Sequence, residues 1–340
     1  MTPHADPGLI AGIDGGGTRT ACVVYSPLDG RLGEGRGGPL NTNYVPQSVA
    51  ETSVGEALAG AAAMAGTDPR HLACVGAAAP WSERAVEAVV ARVSPVARVL
   101  IPGEDVAALL GGTLQPHGLV LIAGTGSRCA YIPAGAAVDA GSGGGGDAAA
   151  VVAGAWGSLF GDEGSGYDIG CRALQAVTRA WDGRGPGTAL SERLAAAWGL
   201  QNQKDIVHRV YGSGTGRWRG RVASVAPLVG EAAAAGDPVA CAILDQAADE
   251  LALLVKAVVA RAGLSRPATV LVSGGVFALG ALIIDRLRTR LAVGSLAEIR
   301  MPVFPPVCGA LLAAARAAGL DADEGSAIVR ALAAVYDLRR

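Results

Sequence analysis

The sequence predicts an α/β protein made of two related lobes, and three observations carry that reading. At 340 residues the chain is too long for one core and suits two domains of roughly 150 residues or a little more. Short apolar runs with strand character alternate with helical stretches through its first third. Most informative, a buried strand that runs into a Gly/Thr bend and turns back into a second strand occurs twice, first from residue 9 and again from residue 118. The spacing puts the junction near residues 112–118, with a first lobe at 1–115 and a second, carrying helical insertions, at 116–324.

In order, residues 9–13 form an apolar strand ending in Asp14-Gly-Gly-Gly-Thr18, and residues 20–25 form the returning strand, followed by a turn at 27–30. Residues 48–66 read as a helix opened by a capping box, Ser48 with Glu51 three residues on. A buried strand at 72–77, a helix at 82–93 with Val86, Val89, Val90 and Val93 on one face, and a strand at 99–101 follow. Asp105 then opens a helix at 106–110. The second cycle has a strand at 118–123, the bend Gly124-Thr-Gly-Ser127 and a strand at 128–132. Residues 133–155 contain Gly141 to Gly146 and read as a long loop. Further on, Ile243, Leu244, Ala247, Leu251, Leu254, Val255 and Val258 make one helical stripe within 239–262. A buried strand at 269–272 leads into Ser273-Gly-Gly-Val276, a small-residue helix spans 309–318, and a last helix, 325–340, is expected to fold back onto the first lobe.

Composition excludes several classes. Hydrophobic residues at 51% and charged ones at 17% are enough for large cores and rule out disorder. The net charge is −2 and the basic residues are scattered, so no concentrated positive surface for nucleic acid is expected. Lys204 and Lys256 are the lysines; the other 26 of the 28 basic residues are arginines, a skew read as genomic base composition. The most hydrophobic stretch, 268–284, is broken by Ser273, Gly274, Gly275 and Gly280, which suits a strand, turn and helix rather than a membrane span. The first eight residues lack a basic segment followed by an apolar one, so no secretory leader is expected. Six cysteines far apart, with no CxxC pair, suggest a reduced cytoplasmic protein. Fifty glycines are about twice the usual share of roughly 7%, and beyond the bends many of them, above all Gly141 to Gly146, read as compositional drift.

The chemistry concentrates in a few places. Gly15, Gly16 and Gly17 let the backbone approach a ligand, and consecutive amides can cradle an anion. Thr18 adds a hydroxyl, and Asp14 suits a hydrated Mg²⁺, which favours one carboxylate plus water. Thr125 and Gly126 offer a second cradle; neither bend is a Walker A loop or a GxGxxG turn before a helix. Asp105 is either the N-cap of its helix or a general base at the carboxyl end of a strand. Asp162 and Glu163, set among glycines just before a helix, can accept hydrogen bonds from several hydroxyls, as a sugar requires. His4, His71, His117 and His208 show no ligand spacing, and no serine stands in GxSxG. Residues 213–219, which include Arg217-Trp218-Arg219, read as a solvated loop.

Together, Asp14-Gly-Gly-Gly-Thr18, Thr42-Asn43, Asp105, Gly124-Thr-Gly-Ser127, Trp156-Gly157, Gly161-Asp-Glu-Gly-Ser165 and Ser273-Gly-Gly-Val276 resemble the N-acetylglucosamine kinase family in order and spacing. That family belongs with the BadF/BadG/BcrA/BcrD-type ATPases in the sugar kinase/Hsc70/actin superfamily. The resemblance implies two ribonuclease H-like lobes of the actin/hexokinase type with an interlobe cleft, closing over ATP and a sugar. It implies that Asp14 organises Mg²⁺, that Gly15 to Thr18 with Thr125 and Gly126 hold the phosphates, and that Gly274 and Gly275 lie on the adenosine side. Asn43, Asp105, Trp156, Gly157, Asp162 and Glu163 would serve the sugar, with Asp105 taking the proton from the attacking hydroxyl, expected to be the 6-OH.

The sequence departs from the family around the presumed sugar pocket. Gly154 is followed by Ala155 where a second glycine is usual, an inserted Gly/Ala loop precedes Trp156, and Asp168 stands where Trp is common. Arg128 replaces the Asn of the mammalian N-acetylglucosamine kinases; it either meets an acidic substituent such as a lactyl group or serves solvent or a backbone carbonyl. The resulting expectation is an ATP- and Mg²⁺-dependent kinase of an amino sugar such as N-acetylglucosamine or glucosamine, with no nucleic-acid or membrane partner and a homodimer left open. The alternatives are a BadF-type ATPase that activates a partner enzyme, against which the scattered cysteines argue, and a sugar-binding sensor without catalysis. For a transcriptional sensor, the roughly eight residues before the first strand are too few for a helix-turn-helix.

Overall fold

The computed structural model describes residues 8–136, 150–212 and 218–336. The first half of the chain runs β1 (Leu9–Gly15), β2 (Thr20–Tyr25), β3 (Leu32–Gly37), α1 (Gln47–Ala65), β4 (Leu72–Ala78), α2 (Glu83–Val93), β5 (Arg98–Leu100), α3 (Gly103–Thr113), β6 (Gly118–Ala123), β7 (Ser127–Ile132) and β8 (Val151–Gly154). There follow α4 (Gly166–Trp181), α5 (Leu190–Trp198), α6 (Asp205–Tyr211), α7 (Trp218–Ala223), α8 (Ala226–Ala234) and α9 (Pro238–Arg261). The chain closes with β9 (Ala268–Ser273), α10 (Ala281–Ala292), β10 (Ala297–Arg300), α11 (Pro306–Ala317) and α12 (Ala327–Tyr336).

Two five-stranded mixed sheets result, and the repetition seen in the sequence is a repetition of topology. The first has the order β3-β2-β1-β4-β5, the second β8-β7-β6-β9-β10. In the first sheet β1 pairs antiparallel with β2 and β2 with β3, while β1, β4 and β5 run parallel. In the second, β7 and β8 are antiparallel and β6, β9 and β10 parallel. Each sheet is therefore a β-meander continued by parallel crossovers, the arrangement expected of an α/β lobe.

The chain divides into two compact units. The first holds residues 1–118, 132–150 and 301–340, the second 119–131 and 151–300. Residues 301–324, assigned to the second lobe on sequence, thus fall in the first unit. The reason is packing: α11 lies on β1, β4 and α3.

In the first unit, strand period sorts side chains onto two faces. Leu9, Ala11 and Ile13 of β1 and Cys22 and Val24 of β2 join α1 and α2 in one core. Ile10, Val23 and Tyr25 turn the other way and pack with α11 and α12. A sheet covered on both faces reads as continuous apolar runs, which is why β1, β2 and β4 were legible. The strand β3, Leu32-Gly-Glu-Gly-Arg-Gly37, carries no such run and is absent from the sequence reading. Its alternate glycines instead face α1 at backbone distance: a Cβ on Gly33, Gly35 or Gly37 would come within 2.1, 1.8 or 2.0 Å of the carbonyl oxygens of Ala61, Ala57 and Ser53. These glycines are neither ligand turns nor drift; they let a small-residue helix lie directly on a strand.

Several helix starts differ from expectation. α1 begins at Gln47 after Pro46, with no side-chain cap. Ser48 is therefore inside the helix, and Glu51 accepts from Gln47 Nε2 and Arg92 instead of capping. Ser82, at the start of α2, gives its hydroxyl to Leu40 O at 2.7 Å. In the second unit, one core gathers the stripe of α9 with β6, β9, α4, α8 and α10. The Gly141 to Gly146 run lies outside the described residues, and β8 emerges from the segment read as loop. Among the described residues no helix is long and apolar enough to cross a membrane.

Candidate active site

In the first unit the candidates gather at one edge of the first sheet. β1, β4 and β5 are parallel and end on the same side, the edge at which open α/β sheets take ligands. The bend after β1 is held from behind. The carbonyl of Gly16 accepts the N–H groups of Leu40 and Asn41 at 2.9 and 3.2 Å, and its own N–H donates to Arg19 O at 3.2 Å. A Cβ on Gly15 would lie 2.4 Å from Leu40 Cδ2, whereas one on Gly16 would meet nothing within 4 Å. The back of the bend is packed and its front is open, with Gly17 half-buried and Thr18 exposed.

Asp14 is the penultimate residue of β1, beside this bend. Burial pushes its carboxyl up to about 6, and the nearby Arg19 only partly opposes that. A carboxylate short of positive charge in this way fits a divalent cation that takes one protein oxygen and keeps its water. Among the described residues no group of three or more His, Cys, Asp or Glu could hold a metal.

Asn43 is exposed, and its N–H donates to Asn41 Oδ1 at 3.0 Å. Thr42 ties the same loop to the connection between β4 and α2: its N–H donates to Ser82 Oγ at 3.3 Å and its hydroxyl donates to Trp81 O. Asp105 is the third residue of α3, whose N-cap is Pro102. The capping role considered on sequence therefore does not hold. Asp105 is buried in the first turn beside Glu104, where the helix dipole favours a carboxylate.

In the second unit the candidates gather at the corresponding edge of the second sheet. Ile122 of β6 pairs with Ser273 of β9, so the bends after both strands are neighbours. Gly274 holds a φ of 109°, and a Cβ there would lie 2.4 Å from Ala123 O. Only glycine fits that position. A Cβ on Gly124 or Gly275 would meet nothing within 4 Å, and Thr125, next to Gly124 in the first bend of this unit, is half-buried.

The segment 162–167 braces the bend at 124–127. Ser127 Oγ donates to Glu163 O at 2.7 Å, and Gly166 N–H donates to Gly124 O at 2.8 Å. Asp162, read on sequence as a sugar ligand, is turned to the bend. Its Oδ1 accepts from Ser127 N–H at 3.3 Å and its Oδ2 from Arg219 at 2.5 Å. Side-chain exposure is 7% for Arg219 and 5% for Asp162, so this is a buried ion pair whose disruption costs about 3–5 kcal/mol. Burial raises the Asp162 carboxyl, while Arg219 and the Ser127 N–H hold it down. Arg219 also sits 5.5 Å from the ring centroid of Tyr167, which meets Trp218 edge-on. The solvated-loop reading therefore fails for Arg219, which is buried in α7; residues 213–217 lie outside the described residues. No local pattern marks Arg219, because its partner is far away in sequence.

Glu163 is half-buried. Trp156 is 71% exposed, and Gly157 holds a φ of 82°. Arg128 is half-buried on β7, across from Gly154 of β8. Asp168, noted above as a departure, lies in the first turn of α4, whose N-cap is Ser165: the Asp168 N–H donates to Ser165 Oγ, and its carboxylate accepts from Gly164 N–H and pairs with Arg172. His71 and His208 are exposed and His117 is half-buried.

A family model described as the BadF/BadG/BcrA/BcrD ATPase family matches residues 11–314, almost the whole chain. The chain belongs to that family. Among proteins similar to this member, the N-acetylmuramic acid/N-acetylglucosamine kinase of Clostridium acetobutylicum is 30% identical over 272 residues, 78% of this chain and 84% of that protein. The glucosamine kinase of Vibrio cholerae is 29% identical over 259 residues, 72% of this chain and 78% of that protein. A solved structure from Chromobacterium violaceum that carries the name N-acetylglucosamine kinase is 26% identical, covers 90% of this chain and 98% of its own, and has a TM-score of 0.67.

Proposed function

We propose that this protein is an ATP-dependent amino-sugar kinase that transfers the terminal phosphoryl group of ATP to a sugar hydroxyl, the 6-OH. The observation that carries the reading is the doubled sheet edge: each unit presents an open glycine bend after its first strand, and the first adds a buried carboxylate, Asp105, in the first turn of α3. The names of its relatives point to amino sugars as the substrate class.

Phosphoryl transfer asks for positioning and charge neutralisation more than covalent help from the protein. In the proposed reaction the sugar hydroxyl gives its proton to Asp105 as its oxygen bonds to the γ-phosphorus. The bond between that phosphorus and the β,γ-bridging oxygen breaks, and ADP leaves. Gly15, Gly16, Gly17 and Thr18, with Thr125 and Gly126, offer N–H and hydroxyl donors to the phosphates, and Gly274 and Gly275 flank the adenosine. Asp14 would hold Mg²⁺ through water, and the ion would supply charge to the phosphate oxygens. Asn43, Trp156, Gly157 and Glu163 serve the sugar. Arg128 adds a cation for an acidic substituent such as a lactyl group.

The test is ADP release with glucosamine, N-acetylglucosamine, N-acetylmuramic acid, glucose and no sugar. Release that depends on an amino sugar is expected; release independent of any sugar overturns the reading. Loss of N-acetylmuramic acid turnover alone in Arg128→Met would assign the arginine to that substituent.

A further inference from the structure

The Arg219–Asp162 pair lies against the second glycine bend, and its placement poses an electrostatic problem. A Cβ on Gly126 would come within 2.6 Å of Asp162 Oδ1, so the carboxylate touches a bend assigned to ATP phosphates. It also occupies the Ser127 N–H, one of the donors of that bend. A negative charge there shapes the bend but repels the anion the bend is meant to take. Arg219 supplies the opposite charge from the far side of the same carboxylate, at 2.5 Å and out of solvent. A guanidinium carries its charge at any working pH, and the Tyr167 ring steadies it further.

We propose that Arg219 is a positioning residue for nucleotide binding: by neutralising Asp162 it lets one carboxylate brace the bend at Gly126 and Ser127 without repelling the ATP phosphates. The inference rests on the proposed kinase reading and assigns a role to a residue outside the glycine bends.

A charge role and a purely structural role predict different patterns. Both Arg219→Met and Asp162→Asn break a buried pair, so both lower the melting temperature. Only Arg219→Met leaves an uncompensated negative charge at the bend. Equilibrium binding of ATP with Mg²⁺ is therefore expected to weaken by about tenfold or more in Arg219→Met, a usual size for coupling between sites. Asp162→Asn keeps an oxygen for Ser127 N–H and is expected to retain most of the affinity. The double variant Asp162→Asn/Arg219→Met is expected to bind ATP more tightly than Arg219→Met alone, although its pair is also gone. Equal losses in the two single variants, or a double variant as weak as Arg219→Met, would overturn the inference. So would unchanged affinity in Arg219→Met while the unmodified protein binds. Failure of the unmodified protein to bind ATP at all would instead overturn the kinase reading.

Discussion

Ala155 donates its N–H to Ser127 O at 2.9 Å while holding a φ of 63°, a left-handed conformation that an L residue adopts at a cost. The preceding Gly154, with a φ of 83°, is packed against the backbone of Ser127 and Arg128. The family's second glycine at this position thus has a physical reason, and this chain carries strain in its place. Ala155→Gly is expected to raise stability by about 0.5–1 kcal/mol, the left-handed penalty less the greater freedom of glycine in the unfolded chain. Urea unfolding of the two proteins measures it, and a variant that is less stable would show that the strain is not there to relieve.

Asp105→Asn removes the base and leaves the size and much of the polarity of the side chain in the first turn of α3. Turnover in a coupled ADP assay is expected to fall by about two to four orders of magnitude, the usual contribution of a general base. Binding of ATP and sugar, followed separately by calorimetry, is expected to persist. Near-normal turnover would remove Asp105 from the role.

Two glycine-to-alanine changes in the first unit should act in opposite directions. Gly35→Ala would put a Cβ 1.8 Å from Ala57 O, a backbone atom that cannot swing aside. A loss of about 3 kcal/mol or more is expected, from parting α1 and β3. Gly55 lies within α1, where a Cβ would meet nothing within 4 Å. Gly55→Ala is therefore expected to gain about 0.5–1 kcal/mol from backbone entropy alone. Chemical denaturation of both variants separates close packing from drift as the reason for each glycine.

Burial pushes the Cys22 thiol up to about 12 from 9.0. Between those values the native thiol keeps its proton while the unfolded one loses it, so the native state binds more protons and stability falls as pH rises. The fall of unfolding free energy from pH 9 upward should be shallower in Cys22→Ala than in the unmodified protein. Alkylation at pH 8 should modify the half-buried Cys171 and Cys241 well before Cys22, and rapid labelling of Cys22 in the native protein would contradict its burial.

Much of the frame was legible along the chain. β1, β2, β4, β6 and β7 announce themselves as apolar runs bounded by glycine, because strands buried on both faces need no polar alternation. β3 was not legible, since its contact with α1 replaces side chains with bare backbone and leaves a Gly-x-Gly-x-Gly run that looks like a loop. The Ser48–Glu51 box failed because Pro46 lets the helix start earlier, at Gln47.

The sequence by itself determined the two strand-and-bend cycles and the glycines and acids that make them chemically suggestive, since apolar runs and bends are properties of neighbouring residues. Only the tertiary structure decided what each acid faces. Asp105 lies inside its helix instead of capping it, and Asp162 meets Arg219 across a separation of 57 residues. That pairing depends on how α7 docks against the loop before α4. An ion pair takes its direction and its worth from the burial of both partners, which no local pattern in the chain encodes.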